Sequence, residues 1–336
     1  MVRESGTVPL MRLKDEFYGG LIRLSIADAI SRCDFIGGES VREFEDRWGS
    51  YNHASAVGVA NGTDALRLAL QAKGVGPGST VCVPALTFGA TAEAVRQLGA
   101  DVIFSDIDPV TYLMADPPDA DFYVPVALFG EPVELERPGV IDGAQAHGTG
   151  MVGDIAWSHF PSKPLGCFGD GGSVTGSPEF VERVRLLANH GMRAKYDYAE
   201  VGWNSRLDAI QARVLLQKLG MLDELNALRR DNAHTLISLC SAADADVVLP
   251  QRSERSAYHL FVVRHDDPDT CISRLADMGV SAARYYHTPL HKTDAYKTNQ
   301  HLPVAEEVCR TMFAVPCFAT MTEYELRRVA IGLLSL

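Results

Sequence analysis

The sequence lacks the features that would place the chain in a membrane or on nucleic acid. Among its 336 residues there is no apolar run of the length needed to span a bilayer, about 18 residues, so no membrane contact is expected. Asp and Glu (43) outnumber Lys and Arg (31), and a net charge of -12 argues against nucleic-acid binding, which needs a basic surface. An anionic substrate must therefore be held by a local group of arginines.

The cysteines also lack the spacing of zinc-binding or redox pairs. Seven are present, an odd number, so the sequence predicts reduced thiols, no metal site and a cytoplasmic location. Residues 1–13 carry charges throughout and contain no apolar stretch of signal-peptide length, which favours the same location. Hydrophobic residues (46%) are as frequent as in an ordinary globular enzyme, and the length favours two domains.

Short β-branched runs alternate with helical patterns through the first two thirds of the chain. This alternation predicts an α/β fold with a mainly parallel, seven-stranded sheet covered on both faces. The seven predicted strands are residues 56–60, 80–84, 101–104, 122–128, 140–142, 155–159 and 172–175.

Helical periodicity is clearest at residues 63–72, 90–98 and 178–189, and one long apolar stripe covers residues 207–233. Beyond it a strand at 258–264 and a helix at 267–278 indicate a smaller α+β unit. We therefore predict a large domain at residues 1–230, including the N-terminal segment, and a small domain at residues 231–336.

The first candidate catalytic residue is Lys163. It lies in the segment 158–172 and follows Asp142 by 21 residues. A lysine between two prolines is usually a solvated loop residue. The glycine run that follows and the spacing to Asp142 favour another interpretation, a pyridoxal phosphate site. That cofactor needs one lysine amine for a Schiff base and one buried carboxylate to keep its pyridine nitrogen protonated.

A second candidate site feature follows the first predicted strand. Gly62 and Thr63 stand at a helix N-terminus, where free N–H groups and the helix dipole favour a phosphate group. The same residues also fit an ordinary N-cap turn.

Six segments recur in this order in the DegT/DnrJ/EryC1/StrS family of fold type I aminotransferases, which the chain resembles from about residue 20 to its C-terminus. They are residues 61–66, 84–88, 106–109, 142–148, 158–172 and 202–206. The resemblance implies a pyridoxal phosphate dependent transferase in which Lys163 carries the cofactor and shuttles the proton, while Asp142 holds the pyridine nitrogen.

The resemblance also implies roles for residues whose types alone decide little. Gly62, Thr63 and Ser158 would bind the cofactor phosphate. Phe88 would stack on the pyridine ring, although a phenylalanine here also fits core packing. Gln145 would reach the ring hydroxyl side.

A homodimer is implied as well, because relatives insert Asn204 into the neighbouring subunit's phosphate site. Arg206 would clamp a carboxylate or diphosphate, or form a helix-terminal salt bridge. The basic and aromatic loop 189–196 suits a nucleotide-sugar substrate and also fits a solvated turn.

Within the family, residues 160–167 and 204–208 are most similar to enzymes that aminate C3 of UDP-3-oxo-N-acetylglucosaminuronic acid, with L-glutamate as the implied donor. This chain has Tyr285 and Tyr286 where those relatives have His-Tyr. The two tyrosines are candidate substrate contacts, and another keto sugar or a cyclitol remains an alternative substrate.

The chain departs from the family in two crossovers. Residues 112–121 leave no room for the usual helix, and residues 131–139 are too few to connect parallel strands through one, so one sheet face should be less covered. Lone histidines are more often structural, and we assign no catalytic role to His147 or His159.

Rival functions make different demands on the same residues. A sugar dehydratase would have histidine at position 163, and a dinucleotide-binding oxidoreductase would place its glycines between a strand and a helix, whereas residues 166–172 precede a strand. A non-catalytic regulatory or binding protein on the same fold remains an alternative, which amine transfer would distinguish.

Overall fold

The computed structural model of the protein describes residues 6–13 and 19–336 and is built around one β-sheet. All seven predicted strands are present, and a two-residue strand forms an additional edge. The strands are β1 (Ser55–Val59), β2 (Thr80–Pro84), β3 (Asp101–Ile107), β4 (Met114–Ala115), β5 (Phe122–Tyr123), β6 (Ile141–Asp142), β7 (Ile155–Ser158) and β8 (Gly172–Gly176).

Strand order across the sheet is β4-β3-β2-β5 in one half and β6-β7-β8-β1 in the other. Parallel bridges from Tyr123 to Gly139 and from Val126 to Asp142 join the two halves. Of these eight strands, β4 and β8 run in the direction opposite to the other six. The sheet is therefore mainly parallel, as predicted.

The predicted strand at 122–128 is wrong in its length, because regular pairing ends at Tyr123. Pro125 has no backbone N–H and cannot donate a hydrogen bond to a neighbouring strand; its carbonyl accepts one from the Asp142 N–H at 2.9 Å. The chain then enters a 3₁₀ turn at Leu128–Gly130.

Helices cover both faces of the sheet. Alternate strand residues point to opposite faces, so Val57 and Ala156 pack in one core and Ala56 and Trp157 in the other. The helices of the large unit are α1 (Gly19–Ser31), α2 (Gly38–Tyr51), α3 (Gly62–Ala72), α4 (Ala90–Gln97), α5 (Pro178–Ala188), α6 (Ala209–Leu219) and the first part of α7 (Leu222–Ala242).

A small hairpin follows α5, outside the main sheet. Its antiparallel strands are β9 (Met192–Ala194) and β10 (Asp197–Tyr198). The basic and aromatic loop predicted at 189–196 thus includes β9, and both strands are largely exposed.

The continuous stripe predicted at 207–233 is two helices, which corrects that prediction. The chain breaks at Gly220, a poor helix former, and Met221 has φ -115° and ψ -1°. Leu222 then packs in the same core as Leu215, so the apolar period continues across the turn and hides it.

The C-terminal unit pairs β11 (Phe261–Arg264) with β12 (Met312–Val315) and surrounds them with α8 (Pro268–Asp277), α9 (Pro303–Thr311) and α10 (Glu323–Leu334). The C-terminal unit has its own hydrophobic core. Val8, near the N-terminus, forms a β-bridge with Val280 and packs in this core. The division at residue 230 stays a prediction; that residue lies inside α7. Among the described residues, no helix is both long and apolar enough to cross a membrane.

Both crossovers are short, as predicted. Between β3 and β5 the structure has the edge strand β4 and no helix, and residues 131–139 are likewise without one. A segment at residues 252–259 lies against both loops.

Candidate active site

A cavity of about 400 Å³ opens where several strands end, between the large unit and the C-terminal unit. The carboxyl ends of parallel strands are where such sheets place ligands. Nearly all the predicted site residues line it: Gly62, Thr63, Phe88, Asp142, Gln145, Ser158, Lys163, Tyr285 and Tyr286. Asn204 and Arg206 do not.

Asp142 ends β6 at the floor of the cavity. Its Oδ2 accepts a 2.8 Å hydrogen bond from Thr91 Oγ1, and its Oδ1 accepts one of 3.1 Å from the Ala144 N–H. Burial raises the pKa of Asp142, and these two donors together with Lys163 oppose that rise. The carboxylate is thus desolvated and held in one orientation.

Lys163 lies in a tight turn that follows β7. Burial lowers the pKa of Lys163 to about 8, with Asp142 opposing the shift. A lysine with this pKa has an appreciable neutral fraction near neutral pH, which a nucleophilic amine requires.

His159 holds the turn that carries Lys163. Its ring bonds the Leu165 carbonyl and Ser173 Oγ, each at 2.9 Å. Because burial lowers the pKa of His159 to about 4, the ring is neutral; it donates from Nδ1 to the carbonyl and accepts at Nε2 from the hydroxyl. His147 is buried beside it against Trp48 and Trp157, and burial lowers its pKa as well.

Gly62 and Ser158 meet at the N-terminus of α3. A β-carbon on Gly62 would stand 2.4 Å from Ser158 Cβ and 2.8 Å from Ser158 Oγ, so only glycine fits. The N-cap of α3 is Asn61, whose Oδ1 accepts from the Asp64 N–H at 2.8 Å. The N–H groups of the first turn and the Ser158 hydroxyl therefore border one small polar recess.

Aromatic residues close the cavity from the other side. Phe88 is 61% exposed, and its ring lies 6.1 Å from the Tyr286 ring, tilted by 38°. Tyr285 packs edge-on against Tyr286 at 5.9 Å. Gln145 Oε1 accepts from the Phe129 N–H at 2.7 Å, which fixes the amide below these rings.

Asn204 and Arg206 pair with each other outside the cavity. Arg206 Nη2 donates to Asn204 Oδ1 at 2.6 Å, and Nη1 donates to Asn189 Oδ1 at 3.4 Å. Within the described part of the chain Arg206 forms no salt bridge, so the helix-terminal ion pair considered for it is absent. Asn204 is exposed.

Sequence reasoning missed Thr91 and His259. Thr91 lies in the first turn of α4, four residues after Thr87 in the loop before the helix, and their hydroxyl oxygens are 2.9 Å apart. His259 lies 96 residues after Lys163 in sequence and lines the same cavity, a proximity that no local pattern could indicate.

The sequence profile of the DegT/DnrJ/EryC1/StrS aminotransferase family matches residues 22–137 and 138–333. The chain belongs to this family.

Individual relatives match over most of their length. A pleiotropic regulatory protein of Geobacillus stearothermophilus is 34% identical, covering 91% of this chain and 92% of its own. The UDP-2-acetamido-2-deoxy-3-oxo-D-glucuronate aminotransferase of Pseudomonas aeruginosa is also 34% identical, covering 91% of both chains. The crystal structure of DesV of S. venezuelae with a ketimine intermediate superposes with a TM-score of 0.93 at 31% identity, covering 98% of both chains.

As a member of the DegT/DnrJ/EryC1/StrS family, the protein is an aminotransferase whose cofactor is pyridoxal 5'-phosphate. Its cavity fits that group. The polar recess at Gly62 and Ser158, a desolvated carboxylate at Asp142 and a lysine with a lowered pKa all line one cavity. The described residues contain no group of three or more His, Cys, Asp or Glu side chains that could hold a metal ion.

Proposed function

We propose that the enzyme transfers an amino group from L-glutamate to the C3 keto group of a UDP-linked sugar, for amino-sugar or polysaccharide biosynthesis. The observation that carries the proposal is the convergence of Lys163, Asp142 and the Gly62–Ser158 recess on one cavity. The Pseudomonas relative named for a 3-oxo-glucuronate substrate supports this choice of substrate.

We assign the cofactor to the residues that line the cavity. Gly62, Thr63 and Ser158 would hold the phosphate, Phe88 would lie on the ring, and Asp142 and Gln145 would bind the ring's polar edge. When bound, the cofactor supplies an aldehyde for amine exchange and a ring that accepts electron density from the substrate carbon.

Lys163 would transfer the proton between the substrate carbon and the cofactor. Burial lowers the pKa of Lys163 to about 8, so its Nζ can release and take up a proton near neutral pH. Asp142 would keep the pyridine nitrogen protonated, which the hydrogen bond from Thr91 supports by favouring the ionised carboxylate.

We propose that the enzyme works as a homodimer in which Asn204 and Arg206 complete the partner's site. Among the described residues no arginine lines the cavity, although an anionic substrate calls for one. On α1, which packs beside α6, Leu21 is 70% exposed and Leu24 is 69% exposed, an apolar surface that a second subunit would bury. The seven free thiols support a reducing, cytoplasmic setting.

The test is a pair of half-reactions followed by the cofactor's absorbance. L-glutamate should convert the loaded enzyme to its amine form, and a panel of UDP-linked and dTDP-linked keto sugars should convert it back, with a UDP-linked 3-keto sugar fastest. Lys163→Ala is the inactive control. Return of the absorbance only with a cyclitol ketone or another keto sugar would overturn the substrate, and failure of both half-reactions would favour a regulatory protein, as the Geobacillus relative is named.

A further inference from the structure

His259 is a titratable residue of the cavity to which the proposed mechanism assigns no role. It precedes β11, is half-buried, and lines the same cavity as Lys163 and Tyr286. Within the described part of the chain, no side chain or backbone group forms a hydrogen bond with its ring. A cavity-facing imidazole of this kind is available to a ligand.

The segment that presents His259 is anchored on the two shortened crossovers. Arg252 donates through Nη1 to the Thr111 carbonyl, and its guanidinium lies 4.8 Å from the centre of the Tyr112 ring. The Glu131 carboxylate accepts the Ser253 N–H at 3.0 and 3.1 Å. Both short crossovers thus contact this segment.

Gly130 contacts the segment through its backbone. Its carbonyl accepts the Ala257 N–H at 2.9 Å, and a β-carbon at this position would stand 2.9 Å from the backbone nitrogens of Tyr258 and His259. Tyr258 adopts a left-handed backbone with φ 42°, which is rare for an aromatic residue and persists only where the surroundings enforce it. His259 is therefore held at one place on the cavity wall.

We propose that His259 is a substrate-contacting residue that binds a hydroxyl or carbonyl oxygen of the sugar during the amine-accepting half-reaction. The inference rests on the proposed function and goes beyond it by assigning a specificity residue on the C-terminal unit.

Charge decides which of the two substrates this imidazole can recognise. Burial, with further contributions from Lys163 and Arg229, lowers the pKa of His259 well below its usual range, so the ring is neutral. A neutral imidazole has one donor and one acceptor, which match a hydroxyl or a carbonyl. A carboxylate can accept only from the donor nitrogen, whereas a hydroxyl can pair with either nitrogen, so a sugar hydroxyl is the better match.

The two half-reactions separate this role from a structural one. His259→Phe should lower kcat/KM of the sugar half-reaction about tenfold, the loss of one hydrogen bond, and change the glutamate half-reaction less than about twofold. His259→Gln, which keeps a donor and an acceptor, should recover most of the loss. His234→Gln is the matched control, because His234 packs on Tyr258 from the exposed side of α7.

Two further readouts accompany the rates: the thermal midpoint of each loaded variant, and binding of the nucleotide sugar to the amine-loaded enzyme by calorimetry. Weaker sugar binding by His259→Phe at an unchanged midpoint supports the proposal. Full sugar activity in His259→Phe, equal losses in both half-reactions, or a loss in His234→Gln of the same size would overturn it. A wild-type enzyme that accepts glutamate but no keto sugar would overturn the proposed function itself, and the role of His259 with it.

Discussion

Thr91 Oγ1 donates a 2.8 Å hydrogen bond to Oδ2 of the buried Asp142. The hydroxyl comes from the first turn of α4 and the carboxylate from the end of β6, so the bond joins two elements across the cavity floor. It favours the ionised carboxylate, which burial alone would disfavour.

Loss of the Thr91 hydroxyl should therefore weaken the enzyme in a pH-dependent way. In Thr91→Val the pKa of Asp142 rises further, so kcat/KM should fall by roughly tenfold to a hundredfold and the acidic limb of its pH profile should move to higher pH. Thr91→Ser should restore both. An unshifted acidic limb in Thr91→Val would separate this bond from the ionisation of Asp142.

Capture of the cofactor should follow the ionisation of Lys163. Because its pKa is lowered from 10.5 to about 8, the amine loses its proton as the pH rises through about 8, and the capture rate should rise there and level off above. Stopped-flow absorbance of the cofactor-free enzyme measures the rate at each pH. Borohydride reduction and peptide mapping should find the label on Lys163; a midpoint near 10.5, or a label on another lysine, would contradict the assignment.

Gly62→Ala should lower cofactor affinity without unfolding the protein. The added methyl group would stand 2.4 Å from Ser158 Cβ and would push the serine away from the recess. We expect at least about a tenfold rise in the cofactor dissociation constant, measured by equilibrium dialysis, since one or more phosphate hydrogen bonds would be lost. Gly76→Ala is the control, because no atom lies within 4 Å of the place its methyl group would take; equal affinities in the two variants would exclude a phosphate site at Gly62.

Subunit mixing tests the proposed dimer. Lys163→Ala chains and Asn204→Ala/Arg206→Ala chains should each be inactive. A heterodimer would contain one site with both defects and one with neither, so about half of its sites should work. Activity that stays absent after demonstrated subunit exchange would mean that each site is built from one chain.

The sheet could be predicted from the sequence because strand runs and helical periodicity are local patterns. Most of the cavity residues and the two short crossovers were expected from the resemblance to the family, whose motifs around Asp142 and Lys163 are contiguous in the chain. The break at Gly220 was not predictable in this way, since Leu222 continues the apolar stripe of α6. The early end of β5 could have been read from Pro125, whose missing N–H interrupts a ladder.

The cavity residue His259 could not be predicted, because its position depends on long-range contacts. The Gly130 carbonyl and the Ala257 N–H are 127 residues apart in sequence, and their hydrogen bond determines where the next residues lie. The surroundings of Asn204 and Arg206 are a different case. We propose that they complete the active site of a second subunit, and the hydrophobic periodicity of one chain does not indicate contacts between two chains.

Helix α7 limits how the C-terminal unit can move relative to the large unit. Its first residue, Leu222, packs in the core beneath the sheet, while Ala233, Leu236 and Cys240 pack in the C-terminal core. Asn226 Nδ2 donates to the His147 carbonyl at 2.8 Å, and Asn232 Nδ2 donates to the Phe318 carbonyl at 2.8 Å. A hinge between the large unit and the C-terminal unit would have to break this 21-residue helix. We therefore expect substrates to enter a nearly rigid cleft by side-chain rearrangement rather than by domain closure.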